Sequence, residues 1–143
     1  MSDPVPTPGY DAYSPREIAV RVEKAGVAKA GLAFLPMFVL ALLAGAFIAF
    51  GGMLFTLVMT DSGLGLGPGR LLGGVAFSLG LILVVVGGAE LFTGNNLIVM
   101  AWADRKVSTG MLLRNWGIVF AGNIIGSLAM VVLVAMSGTL ETG

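Results

Sequence analysis

Residues 88–95 read Gly-Ala-Glu-Leu-Phe-Thr-Gly-Asn, and Glu90 is the one charge in a long uncharged part of the sequence. Residues 71–89 before it and residues 91–103 after it contain no Asp, Glu, Lys or Arg. In an unbroken helix this carboxylate would lie near mid-bilayer, at a cost of about 2.5–3.5 kcal/mol. The Thr, Gly and Asn that follow favour turns over helix interiors. The sequence therefore predicts a broken span with an ordered loop over residues 91–96, which survives only inside protein or along a watery cavity. Such a break indicates a pore or transport protein.

The composition is typical of a membrane protein. Of the 143 residues, 57% are hydrophobic and 11% charged, which leaves no room for a sizeable soluble domain. The absence of Cys and His excludes disulfides, thiolate or imidazole metal sites and His-ligated haem. It also leaves no nucleophile–base pair of the usual kinds. We therefore expect no enzyme activity, no metal, no cofactor and no nucleic-acid partner.

The chain divides into a tail, a surface helix and a membrane domain. Residues 1–13 have no apolar core, unlike a secretory signal, and are expected to be disordered. Ser14-Pro15-Arg16-Glu17 is a capping box with Pro at the first helical position. It predicts an amphipathic cytoplasmic helix over residues 14–29, lying on the membrane surface or packing on the bundle. Residues 30–143 form the membrane domain.

Three apolar segments predict an all-α membrane protein with three transmembrane spans, the second of them broken. They cover residues 30–60, 71–103 and 115–140, each longer than the roughly 20 residues that cross a bilayer. Pro36 either bends the first span or marks the interface. Ser108 or Thr109 can cap the third helix.

The distribution of Lys and Arg predicts the orientation. Seven basic residues precede the first span or lie between the second and third spans, against one between the first two. This bias places the N-terminus in the cytoplasm. The seven are Arg16, Arg21, Lys24, Lys29, Arg105, Lys106 and Arg114, and the one is Arg70.

Small residues predict close helix packing. Residues 122–126 form a GxxxG motif with Gly122, Asn123 and Gly126, which we expect at a helix contact. Asn123 is expected to join helices by hydrogen bonds rather than bind a ligand. Further pairs with the same spacing are Ala41/Gly45, Gly45/Ala49 and Gly74/Ser78.

Four motifs together resemble the formate/nitrite transporter family, from about residue 20 to about residue 138. They are Phe-Ser-Leu-Gly-Leu-Ile-Leu (77–83), Gly-Ala-Glu-Leu-Phe-Thr-Gly-Asn (88–95), Arg-Asn-Trp (114–116) and Gly-Asn-Ile-Ile-Gly (122–126). The resemblance implies a multi-pass protein of the bacterial inner membrane that conducts formate, nitrite, hydrosulfide or a similar small monovalent anion. It also implies homopentamers with one pore per protomer, and an aquaporin-like fold of two inverted three-helix halves.

Carried onto this chain, the resemblance places Phe77 and Leu81 at an upper pore constriction and Leu91 at a lower one. Apolar rings around a polar gap can gate by dewetting, and the Thr93 hydroxyl with free amides of the loop would meet the anion between them. The alternative for Phe77 and Leu81 is contact with lipid or another helix. Glu90 is expected to accept hydrogen bonds from those free amides, with a proton-carrier role as the alternative. The candidate residues of the loop are Glu90, Phe92, Thr93, Gly94 and Asn95.

The resemblance also has a large departure. The family is roughly twice this length, and its other half carries a central pore histidine that this chain lacks. We therefore expect a truncated or split channel that depends on a second polypeptide, with a self-sufficient homo-oligomeric half-channel as the alternative. The charge bias disfavours pairing with an inverted copy of itself. A different class, a membrane anchor or assembly subunit of a redox complex, remains the alternative function.

Overall fold

The structure is a computed structural model that describes residues 12–60 and 63–138. Within those ranges every regular element is helical. Three of the helices are long and apolar enough to cross a bilayer, which confirms the predicted all-α fold with three spans. The helices are α1 (Pro15–Ala30), α2 (Phe34–Thr60), α3 (Leu66–Val86), α4 (Phe92–Asn95), α5 (Ile98–Ala103) and α6 (Thr109–Met136).

Helix α1 begins at the predicted capping box. The Ser14 hydroxyl accepts from the Glu17 amide at 3.4 Å, and the Glu17 carboxylate accepts from the Ser14 amide at 2.8 Å. The Ser14 amide, and then the Ser14 hydroxyl, donate to the Glu17 carboxylate and lower its pKa. The predicted disordered tail lies outside the described residues, except for its last two. Of these, Tyr13 has the Arg21 guanidinium 3.8 Å from its ring centroid.

The buried face of α1 packs on α5. A Cβ at Gly26 would lie 3.3 Å from the Ile98 Cα, so the two helices approach closely there. Near this contact, Lys106 from the α5–α6 connection lies 2.5 Å from the Glu23 carboxylate and 3.2 Å from that of Asp104. Bonding to Glu23 and then to Asp104 raises the pKa of Lys106, and Lys106 lowers that of Asp104. Helix α1 is thus held against the bundle while much of its opposite face stays exposed.

The starts of the long helices follow their local sequence. Pro36 is the third residue of α2, where its missing N–H removes no intrahelical bond, so it marks the start rather than a bend. The Ser108 side chain accepts from the Met111 amide at 3.3 Å and caps α6. This helix therefore begins at Thr109, six residues before the predicted third span, and its described part ends at Met136.

Helices α2 and α6 touch backbone to backbone at the predicted small residues. A Cβ at Gly122 would lie 2.5 Å from the Ala41 Cβ, and one at Gly126 or Gly45 would collide with the facing Leu42 or Asn123 carbonyl. The GxxxG motif and the Ala41/Gly45 pair therefore lie where the backbones of α2 and α6 approach most closely.

The Gly74/Ser78 pair makes no helix contact among the described residues, because nothing described lies within 4 Å of a Cβ at Gly74. Helix α3 instead meets α2 through Gly51 and Gly80. Added Cβ atoms there would lie 2.7 Å from the Phe77 and Phe47 carbonyl oxygens.

Candidate functional site

The break in the second span begins at a helix C-terminal cap. Helix α3 ends at Val86, and Gly88 adopts a φ of 60°, a left-handed conformation that suits glycine. The Ala89 amide donates to the Val84 carbonyl at 2.9 Å and the Gly88 amide to that of Val85 at 3.3 Å. This is the Schellman pattern, in which a glycine ends the helix and satisfies its last carbonyls.

The break therefore starts earlier than predicted, at residues 87–91 rather than 91–96. Four of the candidate loop residues, Phe92, Thr93, Gly94 and Asn95, form the short helix α4 instead of an open loop. The sequence signal for the earlier start is the Gly87-Gly88 pair at the end of an apolar helical run.

Glu90 also does not lie near the middle of the bundle, where an unbroken helix would place it. The Glu90 amide donates to the Leu40 carbonyl at 3.2 Å. Leu40 lies six residues after Phe34, the first residue of α2, or about 9 Å along the helix. Glu90 is thus nearer one end of the bundle than its middle.

The Glu90 side chain is buried and bonded to two other side chains. One carboxylate oxygen lies 2.5 Å from the Lys29 ammonium, and the other accepts from the Asn95 amide nitrogen at 2.6 Å. Only 4% of the Glu90 side chain is exposed, against 33% of the Lys29 side chain. The lone acid of the second span is therefore compensated by the cation at the end of α1, as a buried charge requires.

The prediction that Glu90 accepts from free loop amides is wrong. The Ala89 and Glu90 amides donate to the Val84 and Leu40 carbonyls, and the Phe92 amide donates to the Asn123 side-chain oxygen at 2.9 Å. Other groups satisfy these amides, so the carboxylate is left for Lys29 and Asn95. A local pattern could not reveal this, because Lys29 lies 61 residues away along the chain.

Asn123 ties the break to both neighbouring helices. Its amide nitrogen donates to the Ala41 and Glu90 carbonyls, each at 2.9 Å, while its oxygen accepts from Phe92. One side chain on α6 thus bonds to α2 and to both ends of the short segment 90–92. Asn123 therefore joins helices by hydrogen bonds.

A groove of about 570 Å³ runs along the break and one face of α3. It brings together three of the predicted pore residues, Leu81, Leu91 and Thr93, beside Lys29 and Glu90. Phe77 lies one turn before Leu81 and outside this lining, with 39% of its surface exposed. The remaining lining residues are Ala25, Ala28, Val84, Val85, Gly88, Ala89, Gly94 and Asn95.

The groove is open along one side. Leu81 and Val85 expose 51% and 70% of their surface. The lining is largely apolar, and its polar members include Lys29 and Thr93, whose side chains carry hydrogen-bond donors. An apolar path with a few donors can pass a small anion that leaves most of its water behind. Three apolar helices of membrane-spanning length, with a break beside such a path, are typical of a transport protein.

The chain belongs to the formate/nitrite transporter family, because the model of that family matches residues 16–143. It is 42% identical to the formate channel FocA of Escherichia coli K12 over 93% of this chain and 47% of that protein. It is 35% identical to the formate channel BtFdhC of Bacillus thuringiensis, over 92% of this chain and 51% of that one. A probable formate transporter of Methanothermobacter thermautotrophicus is 35% identical over 99% of this chain and 51% of that protein.

The chain spans about half the length of the curated relatives that it matches. The family consists of multi-pass membrane transporters and not of enzymes. Membership therefore favours transport over the alternative of a redox-complex anchor.

Proposed function

We propose that the groove is one wall of a pathway for small monovalent anions, with formate as the first candidate and nitrite and hydrosulfide as others. The observation that carries the proposal is that Leu81, Leu91 and Thr93 line one groove together with Lys29. The names of the relatives support formate as the substrate.

In this proposal Leu81 and Leu91 narrow the pathway on either side of a polar step. Thr93 offers a hydroxyl between them, and the Lys29 ammonium supplies positive potential nearby. Phe77 extends the apolar surface by one further turn of α3. An anion crossing the leucines sheds water, and the Thr93 hydroxyl replaces part of its hydration.

The opposite wall comes from a second set of spans. The exposure of Leu81 and Val85 supports this, because a pathway needs apolar side chains on all sides to exclude water. We propose a complementary polypeptide as its source, with pores of this kind assembled as a homo-oligomer, a pentamer by resemblance.

The test is anion flux in liposomes. The chain alone should give no formate flux above protein-free vesicles. Co-assembly with the half of E. coli FocA that this chain does not match should raise flux several-fold. Leu91→Ala should raise it further by widening the narrow point. Robust flux from the chain alone would favour a self-sufficient half-channel, and no flux from a verified co-assembly would contradict the proposal.

We also propose that α1 and the α5–α6 connection face the cytoplasm of a bacterial inner membrane, on the strength of the basic-residue bias. An impermeant thiol reagent added to intact cells should spare Ser108→Cys and label Gly63→Cys. The chain has no native cysteine to interfere. The reverse labelling would invert the orientation.

A further inference from the structure

Three successive residues of α6 bind backbone carbonyls outside their own helix. Arg114 donates to the Leu32 carbonyl, Asn115 to that of Lys29 and the Trp116 indole to that of Asn95, each at 3.1 Å. None of the three lines the groove. The anion pathway therefore does not account for this Arg-Asn-Trp motif. The motif nevertheless bonds to the end of α1, the α1–α2 connection and α4.

Asn115 is the member of the motif with the most constrained surroundings. It is fully buried, and both ends of its amide are used. Its nitrogen donates to the Lys29 carbonyl, and its oxygen accepts from the Asn95 nitrogen at 2.9 Å. The orientation of the amide is fixed by its partners, because a carbonyl can only accept.

These bonds form a closed ring of four residues. From Asn115 the ring passes to Asn95, then to the Glu90 carboxylate at 2.6 Å, and then to the Lys29 ammonium. It returns through the Lys29 carbonyl to Asn115. Lys29 therefore takes part twice, once through its backbone and once through its side chain.

The lysine needs such a constraint. Lys29 lies in the last turn of α1, and its carbonyl accepts from the Leu32 amide at 3.3 Å as well as from Asn115. Its flexible four-carbon side chain is one-third exposed and could turn to solvent. The Glu90 carboxylate holds the ammonium, and Asn95 donates to its other oxygen. Asn115 holds the backbone that carries the lysine and also bonds to Asn95.

We propose that Asn115 is a positioning residue that keeps the Lys29 ammonium paired with Glu90 at the groove wall. A paired ammonium attracts a passing anion more weakly than a free one, and conduction requires binding weak enough for release. That consequence rests on the proposed function, whereas the positioning itself does not.

The test measures the reactivity of the lysine amine in the purified full-length chain in detergent. An amine-reactive ester is applied briefly, and modification at Lys29 is quantified by mass spectrometry relative to Lys24, an exposed lysine of the same helix. Asn115→Leu has a similar size and removes both polar atoms. It should raise the Lys29-to-Lys24 ratio about fivefold, as expected when one hydrogen bond no longer opposes release.

Asn123→Leu is the matched control, since Asn123 is the other asparagine of α6 with side-chain bonds to the break and does not touch Lys29. It should raise the ratio less than Asn115→Leu does, because Asn123 bonds the Glu90 carbonyl but neither Lys29 nor Asn95. An unchanged ratio in folded Asn115→Leu, or an equal rise in Asn123→Leu, would overturn the proposal.

Asn115→Ala is measured in the same way if the leucine variant does not fold. Failure of both to fold while Asn123→Leu folds would also overturn the proposal, because Asn115 would then determine the whole fold. Because the readout is amine reactivity, the result is independent of whether the groove conducts formate.

Discussion

The α2–α6 contact and the break after α3 hold the same bundle together by opposite means. At the contact, glycines let two backbones touch, and a Cβ at Gly126 would collide with the Leu42 carbonyl. At the break, the buried side chains of Glu90 and Asn95 and the partly exposed one of Lys29 replace the regular helix, and a groove stays open beside them. Lipid supplies no hydrophobic drive between helices, so the first region depends on shape and the second on satisfied polar groups.

The largest effect should come from breaking the ion pair, and it should be asymmetric. Lys29→Met leaves the buried Glu90 carboxylate without its cation, at about 3–5 kcal/mol. Glu90→Gln should cost less, because the Lys29 ammonium is one-third exposed and can turn to water. Thermal unfolding of the two purified variants in detergent measures the loss of stability in each.

The double variant Lys29→Met/Glu90→Gln sharpens this prediction. It has no unpaired charge at the site and should recover much of the stability that Lys29→Met loses. Equal losses in the two single variants, or a double variant no more stable than Lys29→Met, would show that the break does not depend on charge compensation.

A smaller effect is expected at the closely packed contact. Gly126→Ala forces α2 and α6 apart at the Leu42 carbonyl and should cost about 1–3 kcal/mol. Gly117→Ala is the matched control, because a Cβ there meets nothing within 4 Å. It should be neutral or stabilising in thermal unfolding, since Ala favours helix over Gly. Equal effects at the two positions would contradict the role of shape at this contact.

The two regions also differ in how far the sequence predicts them. The capping box, the three spans and the GxxxG contact depend on residues close in sequence, and local patterns identify them. The ion-pair partner of Glu90 cannot be identified from such local patterns, because only tertiary packing brings Lys29 of α1 beside the break. A signal was nevertheless present. Lys29 is the cation next to the apolar run that starts at Ala30, and a lone acid in a membrane segment requires a cation or a proton.

The start of the break was missed for a different reason. The turn-favouring residues after Glu90 predict a break at residues 91–96, whereas Gly87 and Gly88 end α3 before it. A left-handed glycine ends a helix even in an apolar sequence. The roles of Arg114 and Asn115 could not be predicted, because their acceptors are backbone carbonyls that any residue type provides.

The central claim is that anions pass along the break and not along the rest of the bundle surface. The most direct measurement is formate flux in liposomes containing this chain with a Thr93→Cys substitution, co-assembled with a cysteine-free complementary half. A small thiosulfonate reagent should abolish most of the flux by filling the groove beside Leu91. The same reagent should leave flux intact with Gly117→Cys, on the exposed side of α6. Flux that persists after complete modification of the Thr93→Cys protein would contradict the account.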